Sequence, residues 1–288
     1  MRTPAMRMPL RVLLGWLSFV IGLGLAVAAA QVAEAYGFQR EAIQIILAVV
    51  TTGVSVPLIY LLRKYADRKP WSGLGLSSPP QGLAYLLKGA GLLLLSTGIT
   101  LLTGLVFGWI KVVGVQIPAE TLLAMMINLL IAFFYEAFPE ELAFRGYIFQ
   151  NLNTKLPSWL ALITQVLLFI LAPLAIIAGL VAAGIGSWDA VTWEYVLTLA
   201  VFGTALQLSR ILSGNLWMCI GYHLAWLEMV RYIVVPDSGA IIEVEYLSRN
   251  GYYLIHIGTI VLSIIILLVW SRRGKLRPLN WMSKAADD

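Results

Sequence analysis

Charge is scarce in this chain. Asp, Glu, Lys and Arg make up 12% of the 288 residues, against roughly 25% in an ordinary soluble domain. With 60% hydrophobic residues and a mean hydropathy of +0.84, this excludes a water-soluble globular fold and a disordered one, and leaves an integral membrane protein. Cysteine is almost absent: Cys219 alone excludes a disulfide framework within the chain and a cysteine-based metal site. Histidine occurs twice, as His223 and His256. Basic residues outnumber acidic ones by a formal charge of +5, yet they flank apolar runs and form no patch interleaved with aromatics, so no nucleic-acid partner is expected. An internal repeat of the kind that marks secondary transporters is also missing. No cofactor or metal is expected.

What the sequence has is apolar runs near the roughly 20 residues of a spanning helix. They fall at 10–31, 42–62, 83–108, 121–138, 158–181, 194–208, 215–235 and 252–270. The sixth is the weakest, being short and interrupted by Gly203 and Gln207. The first follows Arg2, Arg7 and Arg11 but is longer than the roughly 7–15 residues of a signal-peptide core, and reads as a retained span. The expected fold is an all-α, polytopic membrane helix bundle of about eight transmembrane helices, forming a single transmembrane domain over 1–288. Of the 20 Lys and Arg, only Arg40, Lys111, Arg231 and Arg249 fall in the loops on one side. The positive-inside rule then places both termini in the cytoplasm. Glycines such as Gly22, Gly89, Gly91 and Gly179 suit close helix packing, and the basic stretch 66–82 reads as a connector anchored by Trp71.

The fourth run closes on "FFYEAFPEELAFRGYIFQNL", residues 133–152. Ionisable groups at membrane depth are costly and usually have a task. Glu141 and Arg145, four apart on a helix, share one face and form a neutralised pair. Glu140, rotated by about 100°, is left free as a base. Glu136 reads as a boundary charge at headgroup level, since Pro139 disturbs the helix between it and Glu140. His223 lies in "GNLWMCIGYHLAWLEMVRY", a helix opened by a loop-and-cap signal at Ser213-Gly214-Asn215. His256 reads as a packing residue.

"EELAFRG" at 140–146 and "GNLWMCIGYHLAW" at 214–226 together resemble the CAAX-protease and bacteriocin-processing (CPBP, or Abi) family of intramembrane glutamic endopeptidases. The W-x-x-L-G-L stretch from Trp71 to Leu76 and the Gly-rich third span add to the resemblance, which covers about 70–235. It implies hydrolysis of a peptide bond in a membrane-associated, prenylated or transmembrane substrate, in a polar cavity near the cytoplasmic face of the cell membrane. By the same resemblance Glu140 activates water, Glu141 and Arg145 support it, and His223 is the histidine of the late motif, stabilising the oxyanion.

Two positions depart from the family pattern. "FILAP" puts Pro173 where the family has histidine, and "HLAWL" puts Leu227 where it has asparagine; neither supplies a side-chain donor. Gln165 is about 12 Å along the helix axis from Pro173, too far to replace it. His256 replaces the missing imidazole only if the last span packs beside the fourth. Two further readings follow: a family member that binds a membrane partner or substrate helix without cutting it, and a transporter of small solutes or lipids using the same charges.

Overall fold

The structure, a computed structural model, describes residues 6–236 and 240–284. Arg2, part of the basic lead, lies outside them. Eight long helices follow one another among the described residues: α1 Met8–Ala35, α2 Arg40–Asp67, α3 Pro79–Val106, α4 Ala119–Lys155, α5 Ser158–Ala182, α6 Trp193–Ser213, α7 Leu216–Glu228 and α8 Arg249–Arg272. Among the described residues seven helices are long and apolar enough to cross a membrane, and α7 is not one of them. The weak sixth run is thus a full candidate span, and the helix that falls short is the seventh, of 13 residues. The reason is enclosure. Every α7 residue from Met218 to Glu228 is buried, so α7 faces other helices rather than lipid and tolerates His223 and Glu228.

α7 sits this deep because two glycines let α3 reach it. A Cβ on Gly89 would stand 2.0 Å from the Met218 carbonyl oxygen, and one on Gly221 would stand 2.0 Å from that of Leu86. Neither position admits a side chain. The start of α7 is also clamped. Asn215 caps it, its side chain accepting from Trp217 N at 3.0 Å, while its amide donates to Ser77 Oγ at 2.8 Å. Leu216 N donates to the Gly75 carbonyl at 2.8 Å. The stretch 66–82, expected as a connector, therefore forms a cap over the α7 N-terminus, with Leu74 fully buried beneath it.

The two ends of the bundle differ. At one end lie the N-terminal end of α1, the turns joining α2 to α3, α4 to α5 and α6 to α7, and the C-terminal tail. There Ser283 binds Ser158, and buried Asp67 collects Arg63, Arg11, Tyr147 and Asn151. At the other end β1 Ile110–Val115, β2 Val234–Val235 and β3 Ile242–Tyr246 form a small sheet in the order β1-β3-β2. β1 runs antiparallel and β2 parallel to β3.

The largest departure from expectation is in α4. The apolar run ends near 138, but the helix continues to Lys155 and carries the charged motif inside the bundle. From Leu142 to Phe149 every residue is buried. Hydropathy misses this because a helix wrapped by others has no need to be apolar. Wider, π-type turns run through the motif at Phe133–Ala137, which holds Glu136, and Leu142–Ile148, which holds Arg145, and there the i→i−4 ladder is broken. Pro139, which has no N–H to donate, lies between them.

Candidate functional site

Glu141 and Arg145 are both fully buried, and Arg145 Nη1 donates to Glu141 Oε1 at 3.0 Å. The guanidinium also lies over the Phe169 ring, 4.2 Å from its centroid, and Nη2 donates to the Gly203 carbonyl at 3.5 Å. Such a pair survives burial only when its geometry and remaining partners are good. The same Glu141 oxygen stands 3.0 Å from His223 Nδ1. His223 is thus held by Glu141, with its Nδ1 engaged and its Nε2 left for other partners.

Glu140 points elsewhere. It lines a cavity of about 270 Å³ that it shares with His223, Glu136, Phe169, Pro173, Tyr195 and Leu227, among others. No side-chain hydrogen bond or ion pair engages its carboxylate among the described residues. The four residues singled out from the sequence therefore divide into two groups. Glu141 and Arg145 lie behind the wall, while Glu140 and His223 face the same space.

Pro173 and Leu227 also line that cavity. The two positions at which the sequence departs from the motifs it resembles are thus in the same cavity as Glu140. Pro173 has one further effect: within α5 it lacks the N–H that would bond the Phe169 carbonyl, four residues earlier, also at the cavity wall.

Two expectations change, those for Glu136 and for the direction of the cavity, while His256 keeps the packing role read from the sequence. Glu136 is a paired charge rather than a free one at headgroup level: half-buried, it lines the cavity and accepts from Arg231 Nη2 at 2.7 Å, while Arg231 Nη1 reaches Asn128 Oδ1 at 3.3 Å. His256 does not approach the fourth span. It stacks on Tyr252 at 4.3 Å and meets the Trp226 ring at 6.4 Å, so that Trp226, itself a cavity residue, stands between it and the site. The cavity also lies away from the end that holds the termini. Its floor is Glu140 and His223, and it runs toward Tyr195 in the first turn of α6, the helix end on the sheet side.

Several lining residues lie outside the expected core of 70–235 or outside its motifs. Phe19 and Leu23 come from α1, and Phe19 packs edge-on against Phe144 of the motif helix at 5.4 Å. Tyr195, Thr198 and Phe202 come from one face of α6. Their spacing of three and four was visible in the sequence, but nothing there said which face met the motif.

Residues 121–227 match a family model described as type II CAAX prenyl endopeptidase Rce1-like. Over this segment the chain is similar to that family. No curated protein and no solved structure matches the chain. The Rce1-like segment contains the whole charged motif, the α5 and α6 walls and His223, and it stops at Leu227. It leaves out α1, which closes the cavity, and α8, which packs on α6 and α3. The match supports, in general terms, an intramembrane function of the CAAX-protease type.

Proposed function

We propose that the chain is an intramembrane endopeptidase in which Glu140 activates a water molecule to cleave a peptide bond of a membrane-associated protein or peptide. The observation that carries this reading is the shared cavity: an unpaired carboxylate and an imidazole face one space, while the adjacent Glu141 and Arg145 neutralise each other behind it. Glu140 takes a proton from water as its oxygen bonds to the peptide carbonyl carbon. The carbonyl oxygen becomes negative and is met by the Nε2–H of His223 in its doubly protonated form, whose Nδ1–H donates to Glu141 and holds the ring in place. As the C–N bond breaks, Glu140 returns its proton to the leaving nitrogen, giving one carboxylic acid and one amine.

The 288 residues act as one transmembrane unit in the cell membrane, in contact with the lipid bilayer. The basic loops favour both termini on the cytoplasmic side. On that orientation the cavity runs toward the opposite face, so the substrate is engaged from the non-cytoplasmic half of the bilayer. A prenylated cytoplasmic C-terminus fits this less well than a transmembrane or extracytoplasmic peptide.

A second reading rests on Pro173 and Leu227: with two polar groups missing from the wall, the cavity holds a substrate or partner helix without cutting it. Purified protein in proteoliposomes, incubated with quenched fluorescent peptides bearing a prenyl group or a transmembrane segment, separates the two. The endopeptidase reading predicts cleavage by the wild type and none by Glu140→Gln. Equal background from both, with the peptide still bound, establishes the binding reading instead.

A further inference from the structure

The cavity wall has lost the donors of two helices, but a third helix presents one. Tyr195 and Thr198, one turn apart on α6, both line the cavity with Glu140, His223, Pro173 and Leu227. Tyr195 is half-buried. Its backbone N–H is used at the start of α6, donating to Thr192 Oγ1 at 3.2 Å, and this N-cap fixes the first turn and the direction in which the ring leaves it. No hydrogen bond engages its phenol hydroxyl among the described residues.

We propose that Tyr195 is the donor that replaces the family's missing side chains: its hydroxyl hydrogen-bonds the oxygen that becomes negative when water attacks the peptide carbonyl. This rests on the endopeptidase reading above.

The chemistry suits a phenol. Water adds to the carbonyl carbon, Glu140 carries the transferred proton, and the new oxyanion accepts hydrogen bonds from His223 and Tyr195. The tyrosine keeps its proton throughout. When the tetrahedral intermediate collapses, the C–N bond breaks, the proton passes from Glu140 to nitrogen, and the Tyr195 bond relaxes to a carbonyl contact. A rigid ring carrying one donor at its tip loses little conformational freedom in making that bond. Pro173 and Leu227 then cease to be gaps in the site; they form an apolar part of the wall against which a substrate backbone lies.

The test compares cleavage of one transmembrane peptide by the wild type and by Tyr195→Phe, Thr198→Val, Glu140→Gln and the double variant Tyr195→Phe/Pro173→His. Tyr195→Phe removes only the hydroxyl. It is expected to lower kcat by about 10²- to 10³-fold, the cost of one oxyanion donor, with KM and the melting temperature nearly unchanged. Thr198→Val, which removes the neighbouring hydroxyl from the same wall, is expected to lower kcat far less than Tyr195→Phe does. The double variant, which returns an imidazole to the same cavity, is expected to recover part of the lost kcat. A Tyr195→Phe enzyme with wild-type kcat beside a dead Glu140→Gln enzyme overturns the assignment and leaves the endopeptidase standing. So does a loss confined to KM, which would make Tyr195 a substrate contact. Absence of Glu140-dependent cleavage in the wild type removes both.

Discussion

One oxygen of Glu141 serves two partners: Oε1 accepts from Arg145 Nη1 at 3.0 Å and lies 3.0 Å from His223 Nδ1. Two helices distant in sequence, α4 and α7, are thereby joined at a single buried atom, and the orientation of the imidazole depends on the charge balance behind it.

Arg145→Leu is expected to be among the most damaging substitutions in the chain. It leaves a buried carboxylate without its cation, a loss of about 3–5 kcal/mol. The double variant Arg145→Leu/Glu141→Leu removes both charges and is expected to be more stable than Arg145→Leu alone, yet inactive because His223 has lost its anchor. Thermal unfolding in detergent checks the order; a double variant less stable than the single one would mean that the pair is not what the site is built around.

Gly221→Ala tests how α7 is seated. The new methyl would stand 2.0 Å from the Leu86 carbonyl oxygen, and backbone has no rotamer with which to move aside. A loss of about 1–3 kcal/mol is expected from overpacking, together with reduced cleavage as His223 shifts. Gly91→Ala, on the same α3 but with nothing near its Cβ position, is the control and should unfold like the wild type.

Orientation is open to labelling, because the native Cys219 is buried and should stay silent. Ser187, in the exposed turn after α5, and Lys275, exposed beyond α8, lie at opposite ends of the bundle. With the termini cytoplasmic, Ser187→Cys reacts with a membrane-impermeant maleimide added outside intact cells, and Lys275→Cys reacts only after permeabilisation. The reverse pattern places the cavity's open end toward the cytoplasm.

Six of the eight helices were legible as apolar runs to within about five residues at each end, because lipid-facing helices must be apolar along most of their length; α7, enclosed by the others, was read past its end at Glu228. The fourth was read too short for the converse reason: past Glu140 it is covered by protein, and its hydropathy carries no trace of the membrane. The i,i+4 spacing of Glu141 and Arg145 was enough to predict their pairing, and the rotation of Glu140 relative to them was enough to separate it. Contacts between helices were beyond periodicity. That His223 meets Glu141 rather than standing free, that Glu136 finds Arg231, and that Trp226 screens His256 from the site each depends on how α7 packs against α4 and α8. Tyr195 went unmarked because a tyrosine near the start of an apolar helix usually reads as an interfacial anchor. The cavity's direction also needed the fold, since a motif's place in a span does not tell which way its side chains open.

The central claim is that Glu140 delivers water to a peptide bond. Cleavage of a transmembrane peptide in water enriched in oxygen-18, followed by mass spectrometry of the fragments, tests it most directly. The account predicts one labelled oxygen in the newly formed carboxyl group with wild-type protein and no fragments with Glu140→Gln. Fragments appearing at the same rate with Glu140→Gln, or intact peptide in both reactions, would contradict it.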